Sequence, residues 1–297
     1  MAPGNGTAFD RELHSVNPFK TLQFILAHPL NRGRPLRAIL RYAAWQVKSR
    51  LQPEVVFNWI AGTKLVARRG MTGATGNIYC GLHEYRDMAF VLHALKPRDV
   101  FVDVGANIGS YTILASGVCG ARTIAIEPDA GTALNLGRNI TANGLEALVD
   151  VKQTAVGEEA GSISFTSGKD TMNRVATVAD EDVQTVALSR LDDILKGVEP
   201  TLMKLDVEGY ETLALRGAEQ TLAKPSLLAI LLETVDPEAL ALLTRYNFVE
   251  LGYVPETRLL VDDTSSRASN LLFVRERKAV QDRLISSPRR MFRGKYF

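Results

Sequence analysis

The middle of the chain alternates short apolar runs with stretches of helical periodicity. Apolar residues at period two or in continuous short runs predict strands, and spacing of three to four residues predicts amphipathic helices. This alternation is typical of repeated strand–helix–strand units, which build a parallel sheet covered by helices. The predicted strands are 100–104, 123–127, 149–156, 162–165, 184–188, 202–205, 227–232, and 249–254 with 271–275 as a hairpin. The predicted helices are 108–118, 129–142, 190–195, 210–223 and one that starts at Pro237.

Local signals mark two helix starts and one insertion. Asp129 precedes a run of helical periodicity and is predicted to cap its N-terminus. Ser189 with Asp192 has the spacing of a capping box, which predicts the short helix 190–195. The polar stretch 157–182 is an insertion between sheet elements. Because such insertions often carry binding residues, we expect this stretch to contribute to a ligand site.

A basic amphipathic helix is predicted ahead of the sheet, over residues 34–51. Arginine and lysine fill much of the surface that its apolar positions leave. Two interpretations follow: the helix lies on an anionic membrane surface, or it packs its apolar face on the main domain or on a second copy. Of the two, packing is favoured. The apolar positions are Leu36, Ile39, Leu40, Ala43, Val47 and Leu51.

Composition and charge restrict the class of protein. The 297 residues are 46% hydrophobic and 23% charged, which is typical of a folded chain with one main domain and extensions. The net charge of +2 divides into +8 over residues 1–99, −12 over 100–274 and +6 over 275–297. Non-specific binding to nucleic acid depends on Lys and Arg against phosphate. The acidic middle therefore argues against a nucleic-acid partner.

A cytoplasmic location is expected from the sequence. Cys80 and Cys119 lack the spacing of a disulfide framework or a zinc site. The first residues include acidic side chains and no apolar core, unlike a secretory signal. The longest uncharged stretch, 104–121, is interrupted by glycines and falls short of the roughly 20 apolar residues of a membrane span. Any membrane contact would then be peripheral, through helix 34–51 at the inner face.

The first predicted strand runs into a glycine-containing loop. Gly105, Asn107 and Gly109 follow it in the run DVGANIGSYT. Glycine lets the backbone approach a ligand closely, and the next helix N-terminus offers unpaired N–H groups. Glu127 ends the next strand 22 residues after Gly105, where an acidic side chain can accept hydrogen bonds from ribose hydroxyls. Together these residues predict a site for a nucleoside-type cofactor.

The spacing of this loop distinguishes between cofactors. A dinucleotide fingerprint needs glycine at its first, third and sixth positions, but the last two are Asn107 and Ser110. No Walker sequence GxxxxGK[ST] occurs. Asp103 would crowd a pyrophosphate, whereas it suits the ammonium group of a methionine moiety. The loop therefore favours S-adenosylmethionine, with a nicotinamide-dependent oxidoreductase as a weaker alternative.

Three motifs resemble those of the FkbM family of S-adenosylmethionine-dependent methyltransferases. They are DVGANIGSYT, IEP at 126–128 and KLDVEG at 204–209, within a resemblance over roughly residues 80–275. The resemblance implies an α/β fold: a Rossmann-like class I methyltransferase sheet of seven mostly parallel strands, the last antiparallel. We predict a basic helical N-terminal extension (1–75), an FkbM-type methyltransferase domain (76–276) and a basic C-terminal tail (277–297).

The resemblance also assigns roles to individual residues. It implies that Asp103, Gly105, Asn107 and Gly109 contact the methionine part of the cofactor and that Glu127 contacts the ribose. The predicted cofactor site also includes Ala106, Pro128 and Ala155.

Carboxylates end two neighbouring strands at the edge where open α/β sheets bind ligands. Asp206 is the predicted catalytic base, and Glu233 ends the next strand as a second catalytic residue. Glu208 lies two residues past Asp206, so an alternative is a Mg²⁺ site made by all three carboxylates, which is not favoured. A structural interpretation also stays open, in which Glu208 caps the next helix and Lys204 pairs with a carboxylate. His83 is a further base candidate if the N-terminal segment covers the cleft.

The predicted activity is methyl transfer to a hydroxyl of a sugar, glycolipid or polyketide-type acceptor, as the resemblance implies. Predicted acceptor contacts are Lys204, Glu208, Asn173 and Arg174. The alternative from another class is a non-catalytic cofactor-binding or membrane-surface adaptor that keeps the fold. The intact loop, Glu127 and Asp206 give that alternative no support. The sequence leaves the acceptor and the oligomeric state open, a homo-oligomer included.

Overall fold

An eight-stranded sheet forms the centre of the protein in a computed structural model that describes residues 18–166, 183–264 and 270–296. The helices are α1 (Pro18–Ala27), α2 (Pro35–Leu51), α3 (Thr72–Cys80), α4 (Tyr85–Ala94), α5 (Ser110–Ile113, continued by a π-helical turn, Leu114–Val118), α6 (Ala130–Asn143), α7 (Leu191–Ile194), α8 (Glu211–Arg216), α9 (Glu219–Ala223), α10 (Pro237–Arg245) and α11 (Arg277–Ser286). The strands are β1 (Val55–Asn58), β2 (Lys64–Ala67), β3 (Val100–Val104), β4 (Arg122–Ile126), β5 (Val149–Lys152), β6 (Ala155–Val156), β7 (Gly161–Thr166), β8 (Val183–Ser189), β9 (Leu202–Leu205), β10 (Ala229–Leu232), β11 (Val249–Val254), β12 (Leu259–Val261), β13 (Leu271–Val274), β14 (Met291–Phe292) and β15 (Lys295–Tyr296).

The strand order confirms the predicted sheet and adds one strand. The order is β12–β11–β13–β10–β9–β3–β4–β5. Strands β5, β4, β3, β9 and β10 are parallel, and β13 runs antiparallel to both β10 and β11. The seven-stranded arrangement with a reversed last strand is therefore confirmed. Strand β12 lies at the edge as an eighth strand, because the turn after β11 folds back and pairs with it.

The central strands are apolar on both faces because helices cover both sides of the sheet. Phe101 of β3 packs into one core cluster with Leu231, whereas Val102 belongs to the cluster on the opposite face. Successive side chains of a strand point to opposite faces. Asp103 and its pairing partner Lys204 therefore share the face of Phe101. Two charged side chains of the central strands thus lie inside this layer.

The N-terminal helices pack against the loop that follows β3. Ile25, Trp45 and Ile108 belong to one buried cluster. Asn139 of α6 connects strand β2 with the loop after β3. Its Oδ1 accepts from the N–H of Val66 at 2.7 Å, and its Nδ2 donates to the carbonyl of Ile108 at 2.8 Å. The region before the sheet therefore supports the predicted cofactor loop directly.

The C-terminal residues form a helix and a small hairpin. In α11, Leu284 is buried and Arg283 pairs with Asp99 at 2.7 Å. In the hairpin of β14 and β15, Arg293 donates to the carbonyl of Tyr79 at 2.9 Å, so the hairpin packs on the N-terminal region. The predicted boundaries at 75 and 277 stay predictions.

Several predicted elements differ in detail. The strand 149–156 is divided into β5 and β6, which belong to two different sheets, and the helix 210–223 is divided into α8 and α9. The capping box at Ser189 is wrong: the carboxylate of Asp192 instead accepts from backbone N–H groups of α9, at 2.8 and 3.0 Å. The cap at Asp129 is confirmed, since its carboxylate accepts from the N–H of Thr132 at 2.7 Å.

Helix α2 confirms the predicted helix but buries a different face. Ala38, Tyr42, Trp45 and Ser49 turn inward. The predicted apolar face is exposed. The prediction that this face packs on the main domain is therefore wrong for the part of the chain that the structure describes. The reason is Trp45, the largest side chain of the helix, which directs the opposite face into the core. Within the described ranges, no helix has the length and apolar character needed to cross a membrane.

Candidate cofactor and acceptor site

The loop between β3 and α5 has a backbone that suits glycine. Gly105, Asn107 and Gly109 have φ angles of +73°, +51° and +90°, in the left-handed region where a Cβ is strained. A Cβ on Gly105 would lie 1.9 Å from the carbonyl oxygen of Asp206. The N–H groups of Gly105 and Ala106 donate to the carbonyl of Ile126 at 3.0 Å. The loop is therefore held between the ends of β4 and β9.

Glu127 holds the loop and the next helix start together. One carboxylate oxygen accepts from the N–H of Asn107 at 2.9 Å, and the other accepts from the N–H of Asp129 at 3.0 Å. Burial raises the pKa of Glu127 to about 7, although both hydrogen bonds favour the charged form. Each oxygen keeps a second lone pair, which a ribose hydroxyl could use.

Asp103 lies deeper than the sequence suggested. The residue is 1% exposed, and its carboxylate accepts from the hydroxyl of Thr112 at 2.6 Å. Burial raises the pKa of Asp103, while the nearby ammonium of Lys204 opposes that change. The side chain thus sits behind the loop, between the start of the helix and strand β9.

Lys204 is the buried cation of the site. Its Nζ lies 2.6 Å from Oδ2 of Asp206 and 4.8 Å from the ring centroid of Tyr111. Burial opposes the charge of Lys204, but the carboxylates of Asp206, Glu84 and Asp103 outweigh burial and raise its pKa. The pairing of Lys204 with a carboxylate, predicted as a structural alternative, is therefore present, and its partner is Asp206, the predicted catalytic base.

Asp206 and Glu233 form a carboxylate pair of unequal acidity. Burial works against ionisation of Asp206, but Lys204 outweighs it and lowers the pKa of Asp206. Glu233 faces the opposite balance, because burial and the charges of Asp206 and Glu208 raise its pKa to about 10. At neutral pH we therefore expect an ionised Asp206 that accepts a hydrogen bond from a protonated Glu233.

The third carboxylate completes a cluster with the composition of a cation site. One oxygen from each of Asp206, Glu208 and Glu233 lies within 4.8 Å of the others. Mg²⁺ requires deprotonated oxygen ligands. Burial and the neighbouring charges favour the protonated form of Glu233, so a cation would have to displace that proton, and Asp206 is already paired with the ammonium of Lys204. The three side chains can therefore hold a shared proton or, once Glu233 is deprotonated, a divalent cation.

The remaining predicted residues lie in different places. Pro128 is half-buried next to Glu127, and Ala155 is buried in β6, three residues after β5 ends. The ring of His83 packs against Phe24, with centroids 5.8 Å apart. Glu208 has a φ of +51° in the turn after β9, where the carboxylate of Glu211 accepts from the backbone N–H groups of Val207 and Gly209. Asn173 and Arg174 lie outside the described residues.

Sequence reasoning missed the polar residues that enclose Lys204 from the side of α4. Tyr111 donates to Glu84 at 2.6 Å, and the Nδ2 of Asn270 donates to Asp87 at 2.9 Å and to Glu84 at 3.4 Å. Tyr111 and Thr112 lie in the first turn of the helix that follows the glycine loop, and that position was the available signal. Glu84 and Asn270 come from distant segments, so no local pattern marked them.

The fold and the loop together define a class of protein. A parallel sheet with a reversed last strand, a glycine loop after β3 and an acidic residue after β4 define a Rossmann-like methyltransferase. The chain belongs to the FkbM methyltransferase family, because the family model for the methyltransferase FkbM domain matches residues 103–254, half of the chain. Membership implies S-adenosylmethionine as the methyl donor.

Part of this chain is similar to proteins with known names. Hexuronic acid methyltransferase AglP from Haloferax volcanii is 27% identical over 152 residues, which are 50% of this chain and 62% of AglP. A methyltransferase FkbM structure from Methylobacillus flagellatus KT has a TM-score of 0.41 and 17% identity, covering 80% of this chain and 60% of its own. A precorrin-6y C5,15-methyltransferase from Geobacter metallireducens GS-15 has a TM-score of 0.38 and 16% identity, covering 65% and 86%. This chain therefore spans about three fifths of AglP and of the FkbM structure.

Proposed function

We propose that the protein is an O-methyltransferase that methylates a hydroxyl of a sugar, free or carried on a lipid. The observation that carries this proposal is the contact between the glycine loop and Asp206. Because Gly105 packs directly on the Asp206 backbone, the cofactor loop and the carboxylate pair lie at one edge of the sheet. The name of AglP, a hexuronic acid methyltransferase, supports a sugar over a polyketide acceptor.

The cofactor side of the site is proposed from the loop and Glu127. Bound S-adenosylmethionine would supply an electrophilic methyl group on a sulfonium, which the acceptor oxygen attacks as the carbon–sulfur bond breaks. Glu127 would accept from the ribose hydroxyls, and those donors would favour its charged form. Asp103 would act through Thr112 and the loop rather than by direct contact, since it is buried behind them.

The acceptor side is proposed from the carboxylate pair. A base with a lowered pKa is a weak proton acceptor until the hydroxyl becomes acidic. Asp206 would therefore orient the hydroxyl first and take its proton late, as the new carbon–oxygen bond forms. Lys204 holds the Asp206 carboxylate in place, and Glu233 would donate a hydrogen bond to it or to the acceptor.

Radiolabelled S-adenosylmethionine with uronic-acid-containing oligosaccharides and glycolipids tests this proposal. We expect label in a methyl ether that survives mild alkali, formed equally well with EDTA present.

Asp206→Asn should lower kcat by about 10²- to 10⁴-fold, the usual contribution of a general base, and leave cofactor affinity largely unchanged. Asp282→Asn, at an exposed ion pair of α11, is the matched control. A base-labile methyl ester, or a fully active Asp206→Asn variant, would contradict the proposal.

A further inference from the structure

Helix α2 presents an apolar stripe to solvent along its whole length. Leu36, Leu40, Val47 and Leu51 are 75%, 67%, 57% and 77% exposed, and Ala43 between them is exposed as well. These five positions are spaced four, three, four and four residues apart, so they form one face of the helix. The face opposite to them, which contains Trp45, is buried. An exposed apolar stripe of this length is typical of an interaction surface.

The charges that flank the stripe are all of one sign. Helix α2 contains four charged residues, Arg37, Arg41, Lys48 and Arg50, and every one is basic. Arg37 and Lys48 are exposed beside one edge of the stripe, and Arg50 is exposed beside the other. In a symmetric dimer that paired two such stripes, these cations would lie against each other, and like charges across an interface oppose binding. The charges therefore favour an anionic partner over a second copy.

The C-terminal hairpin extends this basic surface at the start of the helix. Arg34, directly before α2, donates to the carbonyl of Arg293 at 3.1 Å. The hairpin exposes Met291 and Tyr296, and Lys295 bonds the carbonyl of Pro29. Exposed apolar and aromatic side chains next to arginine and lysine are the composition of surfaces that lie in the headgroup region of a membrane.

We propose that α2 docks this protein on an anionic lipid bilayer, with its apolar stripe in the acyl boundary and its arginine and lysine side chains on lipid phosphates. The helix lies flat on the membrane, because one face is committed to the protein core. Docking would hold the sheet at the membrane surface. The inference does not depend on the reaction or on the identity of the acceptor.

Co-sedimentation of the full chain with lipid vesicles tests this docking. We expect binding to phosphatidylcholine vesicles that contain phosphatidylglycerol, weak binding to phosphatidylcholine alone, and loss of binding as salt screens the charges. Leu40→Glu with Val47→Glu should weaken binding at least about tenfold, since each apolar side chain loses its favourable burial. Leu134→Glu with Leu240→Glu, at exposed leucines of α6 and α10, adds the same charge elsewhere and should bind like the wild type. Circular dichroism would establish that both variants are folded.

Three outcomes would overturn the proposal. They are no binding of the wild type to anionic vesicles, unchanged binding of the Leu40→Glu and Val47→Glu variant, and an equal loss in the control variant. Light scattering identifies the competing occupant: a dimer that Leu40→Glu with Val47→Glu dissociates, without vesicle binding, would assign the stripe to a second copy.

Discussion

At the scale of single residues, the buried ammonium of Lys204 gives the two neighbouring carboxyl groups, Asp206 and Glu233, different pKa values. Lys204 lowers the pKa of Asp206 in spite of burial, whereas burial together with the charge of Asp206 raises the pKa of Glu233. A carboxyl group with a raised pKa in the folded state binds a proton that the unfolded chain releases. Stability therefore falls as pH rises between the unfolded and folded pKa values.

Glu233→Gln should reduce this loss of stability at alkaline pH. For Glu233 the window runs from its ordinary pKa of about 4.5 to about 10, and Glu127 contributes only up to about 7. Between pH 7 and 10, Glu233 contributes at most about 1.4 kcal/mol per pH unit to the decline in unfolding free energy. Glutamine keeps the shape and can donate to Asp206, so the variant should lose less stability over this range.

Urea unfolding at several pH values measures the effect of Glu233→Gln. Glu146→Gln, at an exposed position, is the control and should follow the wild type. Identical pH dependence of wild type and Glu233→Gln would show that Glu233 does not hold a proton in the folded protein.

Sequence reasoning selected the residues of the candidate site that follow strand ends. Gly105, Glu127, Asp206 and Glu233 were identifiable because parallel strands bring their carboxyl ends to one sheet edge. Sequence reasoning could not identify Glu84, because the position of helix α4 over the site depends on packing rather than on a local sequence pattern.

At the scale of elements, periodicity predicted where helices and strands form better than which faces they bury. Strand β3 and the reversed strand β13 follow from apolar runs and their order. Helix α2 shows the limit: Leu36 and Leu40 mark an apolar face, but Trp45 and Tyr42 lie on the face that packs. Helix α2 has two apolar faces, and the face with the larger side chains, Tyr42 and Trp45, is the one that packs on the core.

Two glycine substitutions distinguish the cofactor loop from an ordinary helix. Gly105→Ala should destabilise the fold by about 1–3 kcal/mol or more and abolish cofactor binding, because φ is +73° and the Cβ would meet the carbonyl of Asp206. Gly137→Ala, in the interior of α6 with open space around its Cα, should stabilise by about 0.5–1 kcal/mol. Thermal unfolding with and without S-adenosylmethionine measures both. A Gly105→Ala variant as stable as the wild type would disprove the close approach to β9.

At the scale of the whole molecule, the region before the sheet is joined to the methyltransferase core. The chain has two tryptophans, Trp45 and Trp59. Trp59 shares a buried cluster with Phe101 of the central sheet, and Trp45 shares one with Ile108 of the cofactor loop. The predicted boundary at residue 75 is therefore crossed by core contacts.

These contacts predict cooperative unfolding. In urea, tryptophan fluorescence, which reports the N-terminal region, should change with the same midpoint as far-UV circular dichroism, which reports all helices and strands. Trp45→Phe leaves Trp59 as the single reporter and checks the region next to the sheet. An earlier fluorescence transition would show that the N-terminal region unfolds independently.

The central claim is that the glycine loop and Glu127 bind S-adenosylmethionine beside Asp206. Isothermal titration with S-adenosylmethionine and S-adenosylhomocysteine, before and after EDTA, tests it most directly. We expect micromolar binding that EDTA does not change, and at least about tenfold weaker binding for Glu127→Ala, which loses charged hydrogen-bond acceptors. Glu146→Ala, at an exposed carboxylate, should bind like the wild type. Absence of binding by the wild type, or equal affinity for Glu127→Ala, would contradict this assignment of the cofactor site.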